Sequence, residues 1–119
     1  MNPSSHAVYQ FQTYNDLMRR VSHATPFVLL IKHHEDQHLD CILNRNLLEC
    51  DLYYANAEEL PALPLMYQAY FLPEALGFDG RGQVVTRAHL SPSQFDSQTI
   101  NAEFVNRVYN VCVRGYRMT

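Results

Sequence analysis

The chain has 119 residues, 47% of them hydrophobic and 18% charged, with nine Lys or Arg against twelve Asp or Glu and a net charge of −3. This apolar content excludes a disordered chain, no apolar run approaches the roughly 20 residues that span a bilayer, and the scattered basic residues form no stripe for tracking phosphates. Neither a membrane nor a nucleic acid is expected as a partner. The length holds one core without metal or disulfide staples, so a single domain is expected over residues 1–119, with residues 1–8 a flexible tail. Met1-Asn2-Pro3-Ser4-Ser5-His6 lacks a basic segment followed by an apolar one, and the cytoplasm is the expected compartment.

Thr13-Tyr14-Asn15-Asp16 has the form of a capping box, with an acidic residue three positions after a hydroxyl. Tyr14, Leu17, Met18 and Val21 follow on one helical face, and Arg19, Arg20 and His23 place positive charge at the C-terminal end. A helix over about 13–24 is expected, stopped by Thr25-Pro26. Phe27-Val28-Leu29-Leu30-Ile31 is too short for a buried helix and suits a central strand covered on both faces. His38–Asn44 and Leu47–Tyr54 alternate apolar and polar residues, the pattern of half-buried antiparallel strands. A two-residue loop at Arg45-Asn46 would set Leu43 opposite Leu48, Cys41 opposite Cys50 and Leu39 opposite Leu52, all on one apolar face.

Asn56-Ala57-Glu58-Glu59 then opens a short helix curtailed by Pro61 and Pro64. Leu65–Leu72 reads as strand or helix, its bounding prolines and aromatics favouring strand. Pro73-Glu74-Ala75-Leu76-Gly77 suits one helical turn with a glycine cap, Asp79-Gly80-Arg81-Gly82 a turn, and Gln83–Leu90 a strand. Ser91-Pro92-Ser93-Gln94 carries helix-start signals, and the last helix is expected from about Thr99 to Arg114, with Ile100, Phe104, Val108, Val111 and Cys112 inward. The expected fold class is α+β. It has a mostly antiparallel sheet of about five strands, in the order helix, three strands, short helix, two strands, helix, packed against the N- and C-terminal helices. That order is similar to the order in class I type III secretion chaperones, which are small acidic dimers. The likeness is one of order, and no site is carried over from it.

The densest polar cluster is His33-His34-Glu35-Asp36-Gln37-His38-Leu39-Asp40. Imidazoles and carboxylates are ligands for divalent transition metals, which makes His33, His34 and His38 candidate metal ligands. A solvated hairpin turn is the simpler reading, since metal ligands are usually held on rigid elements. Cys41 and Cys50 sit among leucines, as core thiols do, whereas reactive thiols need electropositive, accessible surroundings. No Ser lies in a nucleophile elbow and no Cys in a catalytic signature.

The chain has eight Tyr and six Phe but no Trp. Exposed aromatics are common at interfaces, and Leu65–Leu72 is apolar on both faces if extended. Tyr53, Tyr67, Tyr70 and Phe71 are therefore the candidate partner-binding residues. The function expected is that of a non-catalytic protein-binding module, such as an adaptor, regulator, toxin-neutralising partner or chaperone-like protein. It would act through this aromatic surface on another protein, with a homodimer as one form and no cofactor. The alternatives are a metal-dependent protein or small enzyme built on His33–Asp40, or a small-ligand sensor with a pocket between the sheet and the last helix.

Overall fold

The computed structural model describes residues 8–34 and 51–89, which form five strands and two helices. In chain order these are β1 (Val8–Gln10), α1 (Tyr14–Val21), β2 (Phe27–Lys32), β3 (Leu52–Asn56), α2 (Ala62–Met66), β4 (Glu74–Phe78) and β5 (Val84–His89). The strands make one sheet in the order β1-β3-β2-β4-β5. β1 and β2 both run parallel to β3, while β4 is antiparallel to β2 and β5 is antiparallel to β4. Among the described residues no helix is long and apolar enough to cross a membrane.

The sheet is therefore mixed, and the expected mostly antiparallel sheet is corrected. The decisive pair is β2 with β3: Val28 lies beside Leu52 and Lys32 beside Asn56, in parallel register. The sequence placed an antiparallel meander through this region. Period-two alternation does not fix strand direction, because it marks which side chains share a face and not which way the chain runs. Parallel neighbours need a crossover connection rather than a tight turn. The expected strand His38–Asn44, the Cys41–Cys50 and Leu43–Leu48 pairings, the helices after Ser91 and most of the N-terminal tail lie outside the described residues.

Other assignments also change. The expected tail ends in a strand, because β1 begins at Val8 and pairs with β3. Asn56 closes β3, and residues 57–59 form a turn in which Leu60 N–H reaches the Asn56 carbonyl at 3.1 Å. The stretch 65–72, for which the sequence favours strand over helix, forms no strand: α2 ends at Met66 and turns and bends follow to β4. Pro64 is compatible with that helix because it sits in the first turn, where the backbone N–H has no intrahelical partner. The expected helical turn over 73–77 is instead β4, buried at all five positions between β2 and β5. Tertiary burial overrides the helix preference of Glu-Ala-Leu there.

Several expectations hold in the structure. The Thr13 hydroxyl accepts from Asp16 N–H at 3.2 Å and the Asp16 carboxylate accepts from Thr13 N–H at 3.1 Å, a reciprocal cap on α1. These amide bonds, first from Gln12 and then from Thr13, hold the Asp16 carboxyl below its ordinary range. β2 is buried along its whole length at the centre of the sheet. At 79–82 the Asp79 carboxylate accepts from Arg81 N–H at 2.8 Å and Gln83 N–H at 3.0 Å. Gly82 has φ of +79°, and a Cβ there would overlap a Val21 methyl, so this turn presses directly on α1.

Alternation along the strands divides the core. Phe27, Leu29 and Ile31 of β2 join Ala55, Leu76 and Phe78 on the face that also buries Leu17 of α1 and Leu63 of α2. Val28, Leu30, Leu52 and Ala75 point to the other face and are buried as well. On the first face the rings form a continuous row. Phe11 stacks on Tyr53 at 4.6 Å, Tyr53 meets Phe27 edge-on at 5.7 Å, Phe27 stacks on Phe78 at 4.5 Å, and Phe78 meets Tyr67 edge-on at 5.4 Å. Each such pair adds about 0.5–1.5 kcal/mol beyond its buried area.

Candidate functional site

Because β1, β2 and β3 are parallel, their carboxyl ends gather at one edge, the location where open α/β sheets bind ligands. β4 runs the opposite way, so its start lies at the same edge, with Glu74 beside Ile31 and the cis Leu72–Pro73 peptide just before it. His33 and His34, the first two residues of the polar cluster that the sequence singles out, follow the end of β2 here.

His33 and His34 are drawn to the turn after β3. His33 Nδ1 lies 3.2 Å from Glu58 Oε2, His34 N–H donates to Glu58 Oε1 at 3.2 Å, and His34 Nε2 lies 3.1 Å from Glu59 Oε2. The Glu58 carboxyl is held below its ordinary range, most by its own backbone N–H, then by the His34 amide and the His33 ring. Gln10 Nε2 donates to Glu59 Oε1 at 3.1 Å and its Oε1 accepts from Tyr54 OH at 3.3 Å, which ties β1 to the same turn. Lys32 is buried with its ammonium 5.4 Å from the Tyr54 ring centre and donates to the His33 carbonyl at 3.3 Å. Next to it the buried Asn56 Oδ1 has no hydrogen-bond partner among the described residues.

The two histidines thus form pairwise contacts with two carboxylates on exposed side chains, where solvent screens such pairs. Among the described residues no group of three or more His, Cys, Asp or Glu is arranged to hold a metal ion. His38, the third candidate ligand, lies outside the described residues.

The four candidate aromatic residues divide into two pairs. Tyr53 is half-buried, and its hydroxyl accepts from Arg20 Nε at 2.9 Å. Burial pushes its phenol above the ordinary value, against the opposing pull of Arg20. Tyr67 caps the end of α2, packs on Phe78, and is likewise shifted upward by burial. Tyr70 and Phe71 are 63% and 75% exposed. Leu65 at 67% and Met66 at 46% stand just before them, so residues 65–71 carry four of the seven exposed large hydrophobic side chains found among the described residues.

The exposure follows from local structure. α2 is a five-residue helix whose buried residue is Leu63, so Leu65, two positions on, faces outward, and Met66 at the helix end is exposed as well. Ala69 is then drawn into the core by its N–H bond to the Pro64 carbonyl at 2.7 Å, and the chain leaves again at Tyr70 and Phe71 before Pro73 and Glu74 are buried. Arg87 fixes this loop by donating to the Tyr67 carbonyl at 2.7 Å and to Glu74 Oε2 at 3.0 Å.

Arg20 is a central residue that the sequence reading assigned only to dipole compensation. It is 4% exposed and donates to Tyr53 OH, to the Thr25 and Pro26 carbonyls at 3.2 Å each, and to Asp51 Oδ2 at 2.8 Å. Its guanidinium lies 4.6 Å from the Phe27 ring centre. A buried charge is tolerated when it is paired and hydrogen-bonded in this way. Adjacent arginines at the end of a helix look alike in sequence, and only the angle at which α1 meets the sheet separates buried Arg20 from exposed Arg19.

Comparison with solved structures places this sheet in the thioredoxin fold. A thioredoxin variant from Halobacterium salinarum is 12% identical, with 91% of this chain and 96% of that one covered at a TM-score of 0.67. Thioredoxin NaTrxh from Nicotiana alata is 14% identical, covering 74% of this chain and 85% of that one at 0.58. A designed protein is 14% identical, covering 86% and 93% at 0.59. No family model matches the sequence, and no curated protein does.

Proposed function

We propose that this chain is a non-catalytic protein-binding module on a thioredoxin fold, which docks a partner protein against residues 65–71. The observation that carries the reading is the run of exposed Leu65, Met66, Tyr70 and Phe71. Apolar surface gathered in one segment marks interaction sites, and aromatics with Met are the residue types enriched there. Covering Leu65 and Phe71 alone would contribute about 1.5–3 kcal/mol each. The loop is also held from below by Arg87, Tyr67 and Ala69, so it is ordered before a partner arrives, which lowers the entropy cost of association.

The redox motif associated with thioredoxin-like βαβ units is Cys-Xaa-Xaa-Cys. The three cysteines here, Cys41, Cys50 and Cys112, form no such motif. This supports a use of the fold in binding rather than dithiol exchange.

The test is affinity capture from source cells with the wild-type chain and with the double variant Tyr70→Ser, Phe71→Ser, followed by light scattering of the purified complex. The expected result is one protein held stoichiometrically by the wild type and lost from the double variant. The mass reads whether that protein is a second copy of this chain. Equal capture by both forms, or disulfide reduction by the purified chain with turnover, overturns the reading.

A further inference from the structure

A groove of about 260 Å³ opens between α1 and the β1 edge of the sheet, apart from residues 65–71. Its wall is aromatic. Tyr53 is stacked on Phe11 and tilted against Tyr9 at 6.1 Å, and Tyr9 is 59% exposed. Arg20 sets this wall in place, because its Nε holds the Tyr53 hydroxyl and its guanidinium lies 5.4 Å from the ring centre. The remaining Arg20 bonds go to Thr25, Pro26 and Asp51, so the wall is fixed without any ligand.

The rim is cationic. Arg19 has a side chain 75% exposed and reaches Asp16 Oδ1 only at 3.7 Å. The second Asp16 oxygen is occupied by the amides of Gln12 and Thr13, at 3.0 and 3.1 Å. Arg19 therefore keeps most of its donors available. His23 is exposed on the same rim. Arg20 is engaged by Asp51 at 2.8 Å, so the cation the groove offers a ligand is the exposed Arg19 guanidinium.

We propose that this groove binds a small aromatic carboxylate of a single ring, with the ring along Tyr9 and Tyr53 and the carboxylate on Arg19 beside His23. Size supports one ring, since the groove falls below the roughly 300–1,000 Å³ of sites for drug-sized ligands. One solvent-facing guanidinium at the rim supports a monoanion over a phosphate dianion. Geometry supports a carboxylate, because the guanidinium fork matches its two oxygens. The aromatic wall supports a flat ring over an aliphatic one, since offset and tilted ring pairs attract beyond their buried area.

The test is a titration of the isotope-labelled full chain with benzoate, followed by amide NMR shifts. Benzamide serves as the uncharged control and cyclohexanecarboxylate as the non-aromatic one. The expected result is saturable binding in the millimolar range or tighter, with shifts at Tyr9, Arg19 and Tyr53 and clearly weaker binding of both controls. Arg19→Gln should weaken benzoate about tenfold, the scale of one lost charge-assisted hydrogen bond. Tyr9→Ala should weaken it by a smaller factor. Both side chains are exposed, so the melting temperature of each variant should match the wild type; if Tyr9→Ala does not fold, Arg19→Gln alone decides. Benzoate binding no tighter than benzamide, an unchanged affinity in Arg19→Gln, or shifts centred away from this groove overturns the proposal.

Discussion

Tyr53 and Tyr67 belong to the same row of rings as Phe27 and Phe78, whereas Tyr70 and Phe71, only three and four positions beyond Tyr67, stand in solvent. The residue types are the same and their surroundings are opposite. The inward pair is held by neighbours on three elements, with Tyr53 bound by Arg20 and Tyr67 packed on β4. The outward pair follows Ala69, whose burial turns the chain so that the next two side chains leave the core. Aromatic content therefore says little about where an interface lies. The short helix and the loop that returns to β4 decide it.

Four variants test this contrast, from the interior outward. Phe27→Ala removes the centre of the ring row and should cost about 3–5 kcal/mol in urea unfolding. A loss under about 1 kcal/mol would mean that the row does not hold the inward tyrosines. Gly82→Ala should cost about 1–3 kcal/mol, because the added methyl meets Val21 and the backbone keeps a left-handed conformation. It loosens the clamp between α1 and the β4–β5 turn, and a neutral result in thermal unfolding would show that the clamp is slack. Thr13→Ala removes one half of the α1 cap and should cost about 1 kcal/mol, read as a lower urea midpoint with unchanged slope. Tyr70→Ser with Phe71→Ser should change stability by no more than about 0.5 kcal/mol, as expected for surface positions. A larger loss would place the outward pair in the core and end the contrast.

Legibility in the sequence varied with how local the cause was. The α1 cap is written in two residues three positions apart, so Thr13 and Asp16 announced it. Burial of β2 is written in five consecutive apolar residues from Phe27 to Ile31. The turn at 79–82 is written in its glycines and Asp79. By contrast, α2 was obscured by Pro64, which breaks a helix interior but is tolerated in a first turn. β4 was obscured because Glu74-Ala75-Leu76 favours a helix until two neighbouring strands claim it. Of the candidate site residues, Tyr70 and Phe71 are exposed, Tyr53 and Tyr67 pack inward, and His33 and His34 pair with Glu58 and Glu59. The histidine pairing required a turn after β3 that no local signal placed beside the end of β2.

By itself the sequence determined which stretches bury themselves and where α1 begins, because periodicity, capping and turn chemistry act between residues a few positions apart. It also determined that no Cys-Xaa-Xaa-Cys is present. Only the tertiary structure decided that β3 runs parallel to β2, that Arg20 and not Arg19 is buried, and which aromatics face outward. Those outcomes depend on which distant segment becomes a neighbour. A strand with apolar residues on both sides satisfies its burial equally well in either direction, so the choice rests with the chain packed around it.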